Sequence, residues 1–138
     1  AMIGWAMARA RSAPSRRLGG APGTKVYLAA GRVDLRRGHD GLCALVRGVL
    51  ALDPFSGHLF VFAGRRGDRI KVLYWDRGGF VLYYKRLAKG QFRLPPVTAG
   101  ADRVVLDSTE LAMLLGGFDV SRARRQPAWE PRAAPPVA

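Results

Sequence analysis

Between His58 and Arg93 the chain holds three strand-like runs, His58–Ala63, Arg69–Asp76 and Phe80–Leu87. Gly64 to Asp68 separate the first two, and Arg77-Gly78-Gly79 the second two, the lengths and glycines that hairpins use. The pattern predicts an antiparallel meander. Because successive strand residues leave opposite faces, Ile70, Val72 and Tyr74 share one side of the middle strand and Lys71, Leu73 and Trp75 the other. The first side is expected to be buried, whereas the second mixes charge with rings. In the third strand Phe80, Leu82 and Tyr84 fall together, opposite Val81, Tyr83 and Lys85. Which tyrosine joins the basic, aromatic side depends on register, and the adjacent glycines leave register open.

Upstream, Lys25–Ala30 has the composition of a short strand, and Gly31-Arg32-Val33 reads as a turn. Leu35, His39, Leu42, Leu45, Val46 and Val49 then recur at helical spacing. Asp34 is placed to cap that helix, with a later start capped by Asp40 as the competing boundary. Asp53-Pro54 ends it near Leu52, and Pro54–Gly57 connects tightly into the meander. Downstream, Pro95-Pro96 stops any strand, and Arg103–Leu106 reads as a fifth short strand. Asp107-Ser108-Thr109-Glu110 has capping-box spacing before Leu111, Leu114 and Leu115, and Gly116-Gly117 closes that helix. The order predicts an α+β domain, an antiparallel sheet of three to five strands with two helices packed on one face.

Charge changes the picture most. The 138 residues carry 23 Lys+Arg against 10 Asp+Glu, a net charge of +13, which favours polyanions. Residues 26 to 120 hold fourteen bases and nine acids, so the excess is concentrated at the ends. Residues 1–24 are expected to be a disordered basic extension, 25–119 a single domain, and 120–138 a mostly disordered basic tail. One cysteine, Cys43, cannot form an internal disulfide and fits a reducing cytoplasm. No apolar run approaches the roughly 18 residues of a membrane span, so no membrane partner is expected.

Catalytic constellations fail in turn. His39 and His58 have no carboxylate partner fixed by spacing, and Ser56 lacks the flanks of a nucleophile elbow. His39 and Cys43 offer two metal ligands where structural zinc takes four; a core-rim histidine beside a small buried cysteine explains them better. Asp34, Asp76 and Glu110 each fit a cap or a hairpin end better than a metal-binding carboxylate triad. There is no phosphate loop with its lysine. The expectation is a non-enzyme without metal or cofactor.

Three segments, Val33–Leu42 (VDLRRGHDGL), Asp53–Phe62 (DPFSGHLFVF) and Arg69–Leu87 (RIKVLYWDRGGFVLYYKRL), resemble in order the TnpB accessory proteins, encoded by the second reading frame of family-66 bacterial insertion sequences. The resemblance spans roughly Val26 to Arg125. It implies a protein made beside a transposase and assisting transposition, with no established enzymatic activity.

The basic residues form three clusters. They are Arg36 and Arg37; Arg65, Arg66 and Arg69; and Lys85, Arg86, Lys89 and Arg93. Long cations at hairpin tips reach phosphates well, and Lys71, Trp75 and Tyr83 (or Tyr84) could add charge and stacking for unpaired bases. No helix-turn-helix, zinc finger or ribonucleoprotein signature is present, so contact with DNA is expected to ignore sequence. The alternative is an adaptor of the transposase complex without DNA contact, docking through the aromatic surface, the Leu111–Leu115 helix or a free sheet edge.

Overall fold

A computed structural model describes residues 23–122 together with 124, 126–129 and 131. The expected N-terminal extension falls almost wholly outside these residues, as does much of the expected tail. The elements are β1 (Val26–Val33), α1 (His39–Gly48), β2 (Leu59–Gly64), β3 (Arg69–Asp76), β4 (Gly79–Arg86), β5 (Arg103–Leu106) and α2 (Ser108–Leu115). Short 3-10 turns lie at Pro54–Ser56 and Val120–Arg122. The α+β class is as expected, and β2-β3-β4 is the predicted meander. The complete sheet has the order β4-β3-β2-β1-β5.

One pair in that sheet is parallel. β1 runs alongside β2, with Val26 opposite Leu59 and Val33 opposite Gly64, whereas β5 pairs antiparallel with β1. Parallel neighbours require a crossover, and here α1 supplies it. β1 also continues through Gly31, Arg32 and Val33, where a turn was expected; the register shifts between Leu28 and Arg32, and Gly31 takes a φ of 76°.

The helices lie on opposite faces of the sheet, which corrects the expectation of one covered face. α2 contributes Leu111, Leu114 and Leu115 to a core with Val26, Leu28, Val61, Ile70 and Val72. α1 contributes Leu42, Cys43 and Val46 to another with Ala29, Phe60, Phe62 and Leu73. The cause is legible in β2, whose LFVFAG is buried at every position. An unbroken apolar strand needs cover on both sides.

Neither expected cap opens α1. Gly38 occupies the N-cap position and makes no side-chain cap hydrogen bond. Asp34 instead accepts from the Arg36 amide at 3.0 Å, closing a turn before the helix. α1 ends at Gly48, short of Leu52, and His39, though exposed, stacks 6.3 Å from Phe80 at the rim of the α1-side core. At α2 the capping box forms as read: Glu110 N–H donates to Asp107 at 2.7 Å, and Asp107 N–H donates to Glu110 at 3.1 Å.

Candidate nucleic-acid interface

The parallel pairing of β1 with β2 brings together cations that are far apart in sequence. Because Val33 lies opposite Gly64, the loop carrying Arg36 and Arg37 emerges beside the β2–β3 turn carrying Arg65 and Arg66. β3 starts at the same end of the sheet with Arg69, and Arg86 closes β4 directly opposite it. Arg32, which the sequence pattern did not single out, donates from Nη1 to the Gly64 carbonyl at 3.0 Å and ties the two segments together. The segment after β4 folds back to this end. Leu87 N–H donates to Asp68 O, Phe92 N–H donates to Gly67 O, and Gln91 Nε2 donates to the Arg66 carbonyl. Lys89 and Arg93 are thereby carried beside the turn, both exposed.

The acids at this end are already engaged. Asp34 takes Arg36 in a forked ion pair, with Nη2 to Oδ2 at 2.7 Å and Nε to Oδ1 at 3.0 Å. The Arg36 side-chain hydrogen bond, followed by its amide, holds the Asp34 carboxyl well below the usual carboxylate range. Asp68 lies 3.5 Å from Arg69 Nε, an ion pair too long or misaligned to be a hydrogen bond, and both atoms are sealed from solvent. Arg65 and Arg66 are exposed and form no ion pair among the described residues, though the charge of Arg65 helps lower the Asp34 pKa.

The expected site residues do not all share this end. Tyr83 is buried at 7% exposure, on the α2 face of the sheet. It is therefore a core residue and not a stacking platform, and burial pushes its phenol pKa up. The register decides this. Arg77 and Gly78 both have positive φ, 41° and 82°, the mark of a two-residue type I′ hairpin turn. That turn sets Lys71 opposite Tyr84 and Val72 opposite Tyr83. Tyr84 consequently joins Lys71, whose ammonium sits 5.4 Å from the ring centroid. Lys71 Nζ also donates to the Arg37 carbonyl at 2.8 Å, and burial lowers its pKa. It tethers the β1–α1 loop more than it offers charge outward.

Lys85 is on the α2 face as well, where Nζ donates to the Leu115 carbonyl at the end of α2. Trp75 belongs to the opposite end of β3 from Arg69, roughly 20 Å away at the usual rise of an extended strand. There it packs edge-on with Phe55 and Phe80, each centroid 5.0 Å away. Phe55 and Phe80 themselves stand 5.1 Å apart, and Arg47 lies over Phe55. Phe55 was missed from sequence because a Pro-Phe-Ser-Gly turn looks like a connector; it is 48% exposed. The single mixed surface expected from the alternation is thus two patches, one cationic and one aromatic, at opposite ends of β3.

No group of three or more potential metal ligands occurs among the described residues, and no helix there is long and apolar enough to cross a membrane. Residues 24–125 match the family model described as IS66 Orf2 like protein. Uncharacterized protein y4jC of Sinorhizobium fredii is 40% identical over 114 residues, covering 83% of this chain and 96% of its own length. Uncharacterized protein y4hO of the same organism is 38% identical over 107 residues, covering 78% of this chain and 90% of its own. No solved structure matches. With the match running through both strands and loops that build the basic end, the resemblance seen in the three segments holds across the described domain, and the chain belongs to the IS66 Orf2-like family, accessory proteins of insertion-sequence transposition.

Proposed function

We propose that the protein assists transposition by holding DNA through the basic end of its sheet, as a non-catalytic, sequence-indifferent factor in the bacterial cytoplasm. The observation that carries this is the convergence of Arg36, Arg65, Arg66, Arg69 and Arg86 from three separate stretches onto one end of the domain. Like charges directly opposite on paired strands are destabilising, and Arg69, which lies 3.5 Å from Asp68, faces Arg86 across β3 and β4. A fold that carries such a pair stands to gain when a polyanion lies over it. The salt dependence of binding to generic DNA tests the idea. Each phosphate held contributes about −0.9 to the slope of log K against log salt. Arg65→Ala with Arg66→Ala should flatten that slope by about 1 to 2; an unchanged slope overturns the proposal.

A second role is compatible and is favoured by the exposed Phe55 beside Trp75 and Phe80. Aromatic side chains with an arginine are what interface hot spots use, and this patch sits at the end of β3 opposite Arg69. It would dock the cognate transposase while the basic end holds DNA. Capture of the transposase from nuclease-treated lysate should be lost with Phe55→Ala and kept with Arg65→Ala/Arg66→Ala. Capture that depends on intact nucleic acid instead removes the adaptor role.

A further inference from the structure

At the basic end the β1–α1 loop and the β2–β3 turn line an open cavity of about 320 Å³, walled by Asp34, Arg36, Gly64, Arg65, Arg66 and Arg69 among others. Leu35 also lines it and closes against the backbone of Gly64, so near that a Cβ there would come within 3.1 Å of Leu35 Cδ1. Asp34 is the only acid in the wall among the described residues, and its carboxylate is occupied by the Arg36 fork. Arg65 and Arg66, which line the cavity and are in no ion pair among the described residues, therefore give it its charge, since Arg69 is paired with Asp68. Guanidinium forks match phosphate oxygens two at a time, and small-molecule sites begin at about 300 Å³. The space admits a phosphate and an attached sugar, with Leu35 offering an apolar surface to the sugar.

We propose that this cavity is a seat for one phosphate group, carried by a nucleic-acid strand, so that the strand is pinned at one point as well as attracted by the surrounding field. The proposal rests on the DNA-holding role above and deepens it. A seat and a diffuse field respond differently to lysine, which keeps the charge and loses the fork. Arg65→Lys/Arg66→Lys should weaken binding of a single-stranded oligonucleotide at fixed salt by about fivefold to tenfold, while the salt slope stays unchanged. Arg77→Lys in the β3–β4 turn and Arg122→Lys in the C-terminal 3-10 turn, both exposed and away from the basic end, should bind as the unaltered protein does.

Inorganic phosphate provides a direct probe. In titrations of the unaltered protein followed by nitrogen-15 NMR, shifts should concentrate at the Gly64, Arg65 and Arg66 amides. Oligonucleotides with a 5′-phosphate or a 5′-hydroxyl identify the source. A preference of about tenfold for the phosphorylated end assigns a strand terminus, and equal affinity assigns an internal diester. If the lysine variant binds like the unaltered protein, or the phosphate shifts spread evenly to Arg86, Lys89 and Arg93, there is no seat. If phosphate shifts Gly64 and Arg65 while no oligonucleotide binds, the DNA-holding role falls and the phosphate seat stands.

Discussion

Tyr83 separates a structural role from a nucleic-acid role more sharply than any other residue here. Its ring is 7% exposed and belongs to the core formed under α2, so Tyr83→Ala should leave a cavity in a packed layer. Truncating a buried aromatic residue costs about 3–5 kcal/mol, against about 5–15 kcal/mol for a whole domain. With a urea m-value near 2 kcal/mol/M, the midpoint should fall by about 2 M. Tyr83→Phe keeps the ring and should stay within about 0.5 kcal/mol of the unaltered protein. Urea unfolding followed by far-UV circular dichroism measures both, and DNA binding is then read at concentrations where each variant is folded. Tyr83→Phe should bind as before. A Tyr83→Ala protein that keeps its midpoint and loses DNA binding would mean that the ring faces solvent, and the assigned register of β4 would be wrong.

The same burial predicts a pH effect. The raised phenol pKa means that the folded state favours neutral Tyr83; the associated stability is present in full below the ordinary value of 10.0 and is lost as pH rises through the folded value. Alkaline unfolding curves should show Tyr83→Phe losing less stability than the unaltered protein above pH 10. Lys85→Met removes the donor to the Leu115 carbonyl and should cost about 1 kcal/mol while leaving the DNA salt slope unchanged; a flatter slope would return Lys85 to the phosphate-contacting set. Leu42→Ala on the α1 face should cost about 2–5 kcal/mol and Ile70→Val on the α2 face about 0.5–1.5 kcal/mol. Because the sheet separates them, the double variant should be additive to within about 0.5 kcal/mol, and a coupling well above that would contradict helices on opposite faces.

What could be read from the sequence was what is decided locally. The hairpin loops announce themselves through glycine, and the Asp107–Glu110 capping box works within a single turn, so both formed as read. The start of α1 was not legible because Asp34 had two possible uses: its carboxylate closes a turn with Arg36, leaving Gly38 at the helix start. Two covered faces were written into the unbroken LFVFAG of β2, but periodicity alone cannot tell so short an apolar run from a buried stretch of helix, so its meaning depended on its neighbours.

The candidate site residues were brought together at one end and separated at the other for related reasons. Alternation along β3 and β4 correctly sorts residues between faces, yet it says nothing of position along a strand, and Trp75 shares a face with Lys71 while packing with Phe55 and Phe80 toward the far end. Tyr83 and Tyr84 are adjacent, so a one-residue difference in register exchanges them; the positive φ values of Arg77 and Gly78 fix the register that buries Tyr83 and sets Tyr84 beside Lys71. The meeting of Arg36 with Arg65 and Arg66 depends on the parallel β1–β2 pair, a contact between residues about thirty apart that no local pattern encodes. Once Val33 is set opposite Gly64, the arginines on either side cannot avoid one another. The basic end is therefore a product of topology acting on residues that each looked like a solvated turn.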